Sequence, residues 1–245
     1  VAEHSKIEWT HHTFNPWIGC QKVSPGCDHC YAEAQWDKWL HRVQWGPHGE
    51  RKRTSKSTWE QPLKWAKAAR AANERPRVFC ASLADIWDNQ VPAEWRSDLF
   101  RRIEQTPELD WLLLTKRPEN IAKMLSAAGP LPLNVWLGTT AEDQPHYNRR
   151  WPVLRRISAV VHFISYEPAI GPLRLRDEAE QPDWLICGGE SGGGARYMDP
   201  QWAADIKADC AERGVAFFLK QMTGKKPIPP GLMLREFPQA EAWHT

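Results

Sequence analysis

At 245 residues and a formal net charge of only +2, the chain is long enough to bury a substantial α/β core, and its global charge singles out neither nucleic acid nor a membrane surface. No apolar run reaches membrane-spanning length, nothing reads as a signal peptide, and there is no Gly/Ser linker, heptad pattern or low-complexity tract. The expectation is one domain over 1–245 in a reducing cytoplasm with no membrane contact, where six cysteines do not form a disulfide framework.

In chain order, a short strand at 13–18 comes first and a cysteine loop at 20–30 follows it. Cys20, Cys27 and Cys30 are separated by six and by two residues, and Pro25 and Gly26 supply a bend, so one loop can carry all three sulfurs to one centre. A structural zinc site normally closes with four protein ligands, whereas three thiolates leave a position open. A zinc knuckle completed by His11, His12 or His29 is the alternative reading. Cys80, Cys187 and Cys210 lie in apolar segments and read as small buried side chains.

A basic insertion is expected near 46–77. Between 50 and 77 there are nine Lys or Arg against three Glu, with Trp59 and Trp65 interleaved. Such a patch over 51–77 can track phosphates and stack bases of a nucleic acid, and the plainer reading is the solvated face of a helix. A second basic cluster lies at 220–226. The fifteen tryptophans read mainly as core.

Six apolar segments follow, at 77–82, 110–115, 134–139, 161–167, 183–188 and 215–220, with helical stretches at 92–106, 118–128, 144–157 and 200–213. Runs without polar alternation suit strands covered on both faces, and helices between them imply parallel neighbours. Counting 13–18, the pattern predicts an α/β fold, a partial TIM-type (β/α) barrel of six or seven strands. A Rossmann sheet is the alternative, weakened by the absence of a G-x-G-x-x-G turn after the first strand. Polar residues gather where the strands end: Ser82 and Asp85, Lys116 and Arg117, Glu142, Glu167, then Gly188, Gly189 and Glu190. In a parallel barrel these ends share the face on which active sites form.

An iron–sulfur loop after the first strand of a (β/α) barrel resembles the radical S-adenosylmethionine enzymes. Those typically show C-x3-C-x2-C with an aromatic residue before the last cysteine; here the spacing is C-x6-C-x2-C, with His29 before Cys30 and Tyr31 after it. The segments SKIEWT at 5–10, NPW at 15–17, KVSPGCDHCYAE at 22–33, LTKRPE at 114–119, VWLG at 135–138, EDQ at 142–144, EP at 167–168 and GGESG at 188–192 resemble a three-cysteine, radical-S-adenosylmethionine-like family of phage and bacterial proteins without an assigned reaction.

The resemblance implies a 4Fe-4S cluster on Cys20, Cys27 and Cys30, with the amino and carboxylate groups of S-adenosylmethionine on the fourth iron. An external donor supplies one electron, and the resulting 5′-deoxyadenosyl radical takes a hydrogen atom from a substrate; a partner protein could complete the site. Ser82 and Asp85 follow the second strand, where such enzymes hold the cofactor's amino group. Lys116 or Arg117 is a candidate for its carboxylate, and Glu142 or Glu167 for the ribose hydroxyls; each reads equally as a member of a barrel-mouth ion pair. Gly188, Gly189 and Glu190 have the composition for the amino group but follow the sixth strand of that set. The resemblance assigns no substrate; with the basic patch, a nucleic-acid base or related substrate, modified or repaired, is one expectation. The alternative is a non-catalytic zinc or iron–sulfur protein that binds nucleic acid or a partner.

Overall fold

Strands that are apolar at every position need cover on both faces, and the chain supplies it by winding helices outside a parallel sheet. The computed structural model describes residues 2–175 and 180–238. From the amino terminus come β1 (His12–Thr13) and β2 (Trp17–Ile18), a 3-10 turn over Pro25–Cys27, and the short helix α1 (Tyr31–Glu33), which continues as a π-helix over Ala34–Trp39. β3 (Lys52–Arg53) and α2 (Lys56–Ala72) lead into the regular part. It contains β4 (Arg77–Cys80), α3 (Ala93–Glu104), β5 (Asp110–Thr115), α4 (Ile121–Ala128), β6 (Val135–Thr140) and α5 (Gln144–Leu154). β7 (Val161–Tyr166), β8 (Trp184–Gly188), α6 (Pro200–Arg213) and β9 (Ala216–Gln221) complete it.

Seven of these strands form one parallel sheet in the order β1-β4-β5-β6-β7-β8-β9. The order never reverses, as it would in a doubly wound sheet, so the architecture is the expected partial (β/α) barrel. Successive strand residues divide between two cores. Val78, Trp111 and Leu137 pack with helix residues such as Trp65, Leu99 and Ile206. Their neighbours Phe79, Leu112 and Trp136 join Phe163, Trp184 and Trp9 in a second cluster on the opposite face. Trp9 meets Phe79 and Trp184 edge-on, with ring centroids 4.6 and 6.3 Å apart. Full burial of one such side chain is worth about 1.5–3 kcal/mol.

Helix starts are marked by side-chain caps: Ser55 accepts from Thr58 N, Asp143 from His146 N and Asp199 from Gln201 N. Each cap contributes about 1 kcal/mol.

The strand expected over 13–18 is split. His12–Thr13 joins the main sheet, while Trp17–Ile18 pairs antiparallel with Lys52–Arg53 in a separate ribbon. Pro16 has no N–H to give to a ladder, and the Asn15 side chain turns away to accept from Leu83 N at 2.8 Å. The other six strands lie within one or two residues of their expected limits.

The basic segment takes the plainer of its two readings, a helix with a solvated face. It contains α2, the crossover helix between β1 and β4, whose buried stripe is Trp59, Pro62, Trp65, Ala66 and Ala69. Both tryptophans therefore face the core, and neither is free to stack on a base. Several of the cations are neutralised: Arg51 by Asp88 at 2.6 Å with both side chains buried, Arg53 by Asp98 at 2.7 Å, Arg75 by Asp110 at 2.6 Å, and Arg70 by Glu108. No helix among the described residues is long and apolar enough to cross a membrane.

Candidate metal and cofactor site

The cysteine loop leaves the barrel wall at Gly19. Its φ of +115° lies where side chains are strained, and a Cβ there would come within 3.1 Å of the Arg51 side chain. Gly19 N donates to Leu83 O at 3.1 Å, which ties the loop's entry to the segment after β4. Tyr31 OH reinforces that tie by donating to Ser82 O at 2.7 Å. Beyond β5, Arg117 donates through Nη2 to Gln21 O at 2.8 Å and through Nη1 to the Cys20 sulfur at 3.6 Å. Beyond β6, Glu142 accepts from Gly26 N at 3.4 Å. Beyond β8, Glu190 pairs with His29 at 2.9 Å and with Arg196, which itself donates to Pro25 O at 2.9 Å. Four strand ends thus grip one loop.

The charges in these grips are held in place. Asp85 pairs with Arg117 at 2.9 Å and also accepts from Thr115 Oγ1, Lys116 N and Trp87 N. Burial works against the Arg117 charge, but Asp85 and then Cys20 raise its pKa above the ordinary value. Burial pushes the Cys20 thiol up to about 11, with Arg117 pulling the other way. Burial likewise opposes ionisation of Glu142, yet Arg150, at 2.5 Å, leads the contacts that hold its pKa below the usual range. For Glu190 burial again acts upward; the hydrogen bonds from Arg196 outweigh it and set the pKa at about 2.

Cys20, Cys27 and Cys30 all line a single cavity of about 570 Å³. Ser82, Asp85, Lys116 and Glu167 line it too, as do Trp9, Phe79 and Tyr31. Glu167 is held by Lys220 at 2.8 Å. Glu142, Gly188, Gly189 and Glu190 stand outside this lining. Glu142 is buried beneath the loop, and Glu190 clamps its side. A Cβ on Gly188 would meet Glu167 at 2.8 Å and one on Gly189 the Thr223 backbone at 2.6 Å, so these glycines serve close packing. Lys6, Trp9 and Lys225 were not singled out in the sequence as site residues. They reach the cavity from the two ends of the chain, and only the basic cluster at 220–226 hinted at one of them.

A family model described as "protein of unknown function (DUF5131)" matches residues 4–232. The chain belongs to this DUF5131 family. No curated protein matches the sequence at a significant level. Solved structures with the same fold include a cysteine-to-serine mutant of spore photoproduct lyase, 11% identical, with a TM-score of 0.57 over 90% of this chain and 78% of that one. A tyrosine-to-phenylalanine mutant of that lyase is 10% identical, with a TM-score of 0.57 over 91% and 79%. Spore photoproduct lyase complexed with dinucleoside spore photoproduct is 11% identical, with a TM-score of 0.57 over 90% and 78%. At these identities the likeness is one of fold.

In this member of the DUF5131 family the donor set suits a cluster that takes three thiolates. Cys20 and Cys30 pack on one side against a small apolar group of Ile18, Ala32, Val43 and Trp45, and all three cysteines stay half-buried at the cavity. The histidines that could complete a zinc knuckle have other partners. His29 holds Glu190, His11 Nδ1 accepts from Arg77 N at 2.9 Å, and His12 stacks on Trp65 with ring centroids 4.4 Å apart. Among the described residues, no three His, Cys, Asp or Glu side chains are grouped to share one ion.

Proposed function

We propose that the chain is a radical S-adenosylmethionine enzyme in which Cys20, Cys27 and Cys30 hold a 4Fe-4S cluster and a nucleic-acid base is the substrate. One observation carries the reading: three cysteines from one tightly held loop line the same cavity as the polar ends of β4, β5 and β7 in a parallel barrel. When bound, the cluster would pass one electron from an external donor to the sulfonium of S-adenosylmethionine, whose C5′–S bond would break to give methionine and a 5′-deoxyadenosyl radical. The residues themselves position reactants and exclude water. The loop grips fix the thiolates. Backbone of the segment 81–84 and the hydroxyl of Ser82 lie beside Cys30 and Tyr31 in the cavity and are assigned to the cofactor's amino group. Lys116 is assigned to its carboxylate and Glu167, steadied by Lys220, to the ribose hydroxyls. Asp85, saturated by Arg117, Thr115 and backbone N–H groups, acts through Arg117 and not as a free acceptor.

The substrate reading draws on charge and on fold. Lys6 and Lys225 line the cavity without a carboxylate partner among the described residues, while no residue of 51–77 lines it. Structures of the same fold include one with a dinucleoside lesion bound. A nucleic acid is therefore assigned to the cavity rim and not to the basic segment.

Anaerobic reconstitution tests the proposal. A brown protein with about four iron and four sulfide per chain is expected, with the cluster lost when Cys20, Cys27 or Cys30 is replaced by Ala. Dithionite and S-adenosylmethionine should then release 5′-deoxyadenosine, and nucleoside mass spectrometry of DNA and RNA incubated with the enzyme should show a changed base. A colourless protein holding one zinc would overturn the reading.

A further inference from the structure

Arg117 was a candidate for the carboxylate of S-adenosylmethionine, but its guanidinium is already bound through Nη1 and Nη2 to Asp85, Cys20 and Gln21. The residue is only 3% exposed. Nη1 donates to Asp85 Oδ2 at 2.9 Å and to the Cys20 sulfur at 3.6 Å, and Nη2 donates to Gln21 O at 2.8 Å. Asp85 cannot swing the fork away, because its two oxygens are fixed by Thr115 Oγ1 at 2.8 and 2.9 Å, Lys116 N at 3.1 Å and Trp87 N at 3.0 Å. The Arg117 backbone N–H donates to Thr115 Oγ1 at 2.8 Å, closing the network on itself. A permanent positive charge is thereby built against one ligand sulfur, where little water can screen it.

We propose that Arg117 sets the reduction potential of the cluster by donating a hydrogen bond to the Cys20 thiolate and fixing a buried positive charge beside it. The inference rests on the cluster assignment made above. In the 2+/1+ couple one electron from a low-potential donor enters the cluster, whose charge falls by one while no bond forms or breaks. Negative charge builds on the irons and their sulfurs. A donor N–H and a cation at a ligand sulfur stabilise that reduced state more than the oxidised one, so they raise the potential. Asp85 opposes the effect but stands behind the guanidinium, whose Nη1 donates to the sulfur; the Gln21 carbonyl oxygen, 3.5 Å from the same sulfur, also opposes it and is itself held by Nη2. The pair thus has a built-in sign: removing the cation should lower the potential, and removing the carboxylate's charge should raise it.

Arg117 is a positioning and tuning residue on this account, and turnover is not its best readout. The experiment is a dye-mediated redox titration of the reconstituted cluster followed by electron paramagnetic resonance, without S-adenosylmethionine, on wild type, Arg117→Gln, Arg117→Lys and Asp85→Asn. Arg117→Gln is expected to weaken reduction at least tenfold, about 59 mV lower for one electron. Arg117→Lys, which keeps the charge and loses the fork, should fall between it and wild type. Asp85→Asn should move the midpoint the other way. Variants with full iron and sulfide whose midpoints match wild type would overturn the proposal, as would loss of the cluster from all three, which marks a purely structural role. A wild-type protein that takes up no cluster instead fails the function reading, and it does so before any variant is made.

Discussion

A carboxylate that accepts from a guanidinium, a backbone N–H and an imidazole is committed to those partners, and Glu190 does all three through Arg196, Arg196 N and His29. Its pKa of about 2 in the folded chain lies below the ordinary 4.5, so the stability it contributes is present above pH 4.5 and is lost as pH falls from there through 2. Glu190→Gln should cost about 1.5–3 kcal/mol near neutral pH, the range for hydrogen bonds to charged groups. In thermal melts the gap between wild type and variant should close between pH 4.5 and 2, and a gap that persists at pH 2 would contradict the assignment. The same residue shows what a sequence conceals at this scale. Gly188, Gly189 and Glu190 are legible as a polar strand end, but their partners Arg196 and His29 come from other loops, and no local pattern announces such a clamp. The three cysteines are the opposite case: their close spacing in the sequence already points to one centre, and all three line one cavity.

Helix α2 decides how a charge run should be read. Its buried residues, Trp59, Pro62, Trp65, Ala66 and Ala69, follow helical spacing, while Lys56, Lys64, Lys67 and Arg70 occupy the exposed side. Amphipathic period, visible in the sequence, outweighs the cation count. Trp65→Ala should therefore destabilise the chain by about 3–5 kcal/mol in urea unfolding, as for large aromatic truncations in cores, whereas Lys64→Gln and Lys67→Gln should each stay within about 0.5 kcal/mol. Equal effects at the two kinds of position would place α2 away from the core. The strands were easier to read, because unbroken apolar runs such as Trp111, Leu112 and Leu113 admit few other environments. β1 and β2 were harder. Two-residue strands flanking Asn15 and Pro16 carry too little pattern to reveal which sheet each joins.

Over the whole molecule, cations fall into two groups that a net charge of +2 conceals. Those between 50 and 77 are largely paired with acids from other elements or spread over the outside of α2, whereas Lys6 and Lys225, from opposite ends of the chain, meet at the cavity. On the proposed function, the region assigned to a polyanion therefore lies where the cysteines are and not where the sequence is most basic. For single strands, the logarithm of affinity falls with the logarithm of salt by about 0.7 per phosphate contact. Replacing Lys6 and Lys225 together by Gln should then reduce the slope for a single-stranded oligonucleotide by about 1.4, read by fluorescence anisotropy between low and moderate salt. Replacing Lys52, Lys56, Lys64 and Lys67 by Gln should leave the slope nearly unchanged, because none of those side chains lines the cavity that the three thiols share with Trp9 and Phe79. The reverse pattern, with the slope set by the 51–77 segment, would mean that nucleic acid binds the outer helix and that the cavity serves a small substrate.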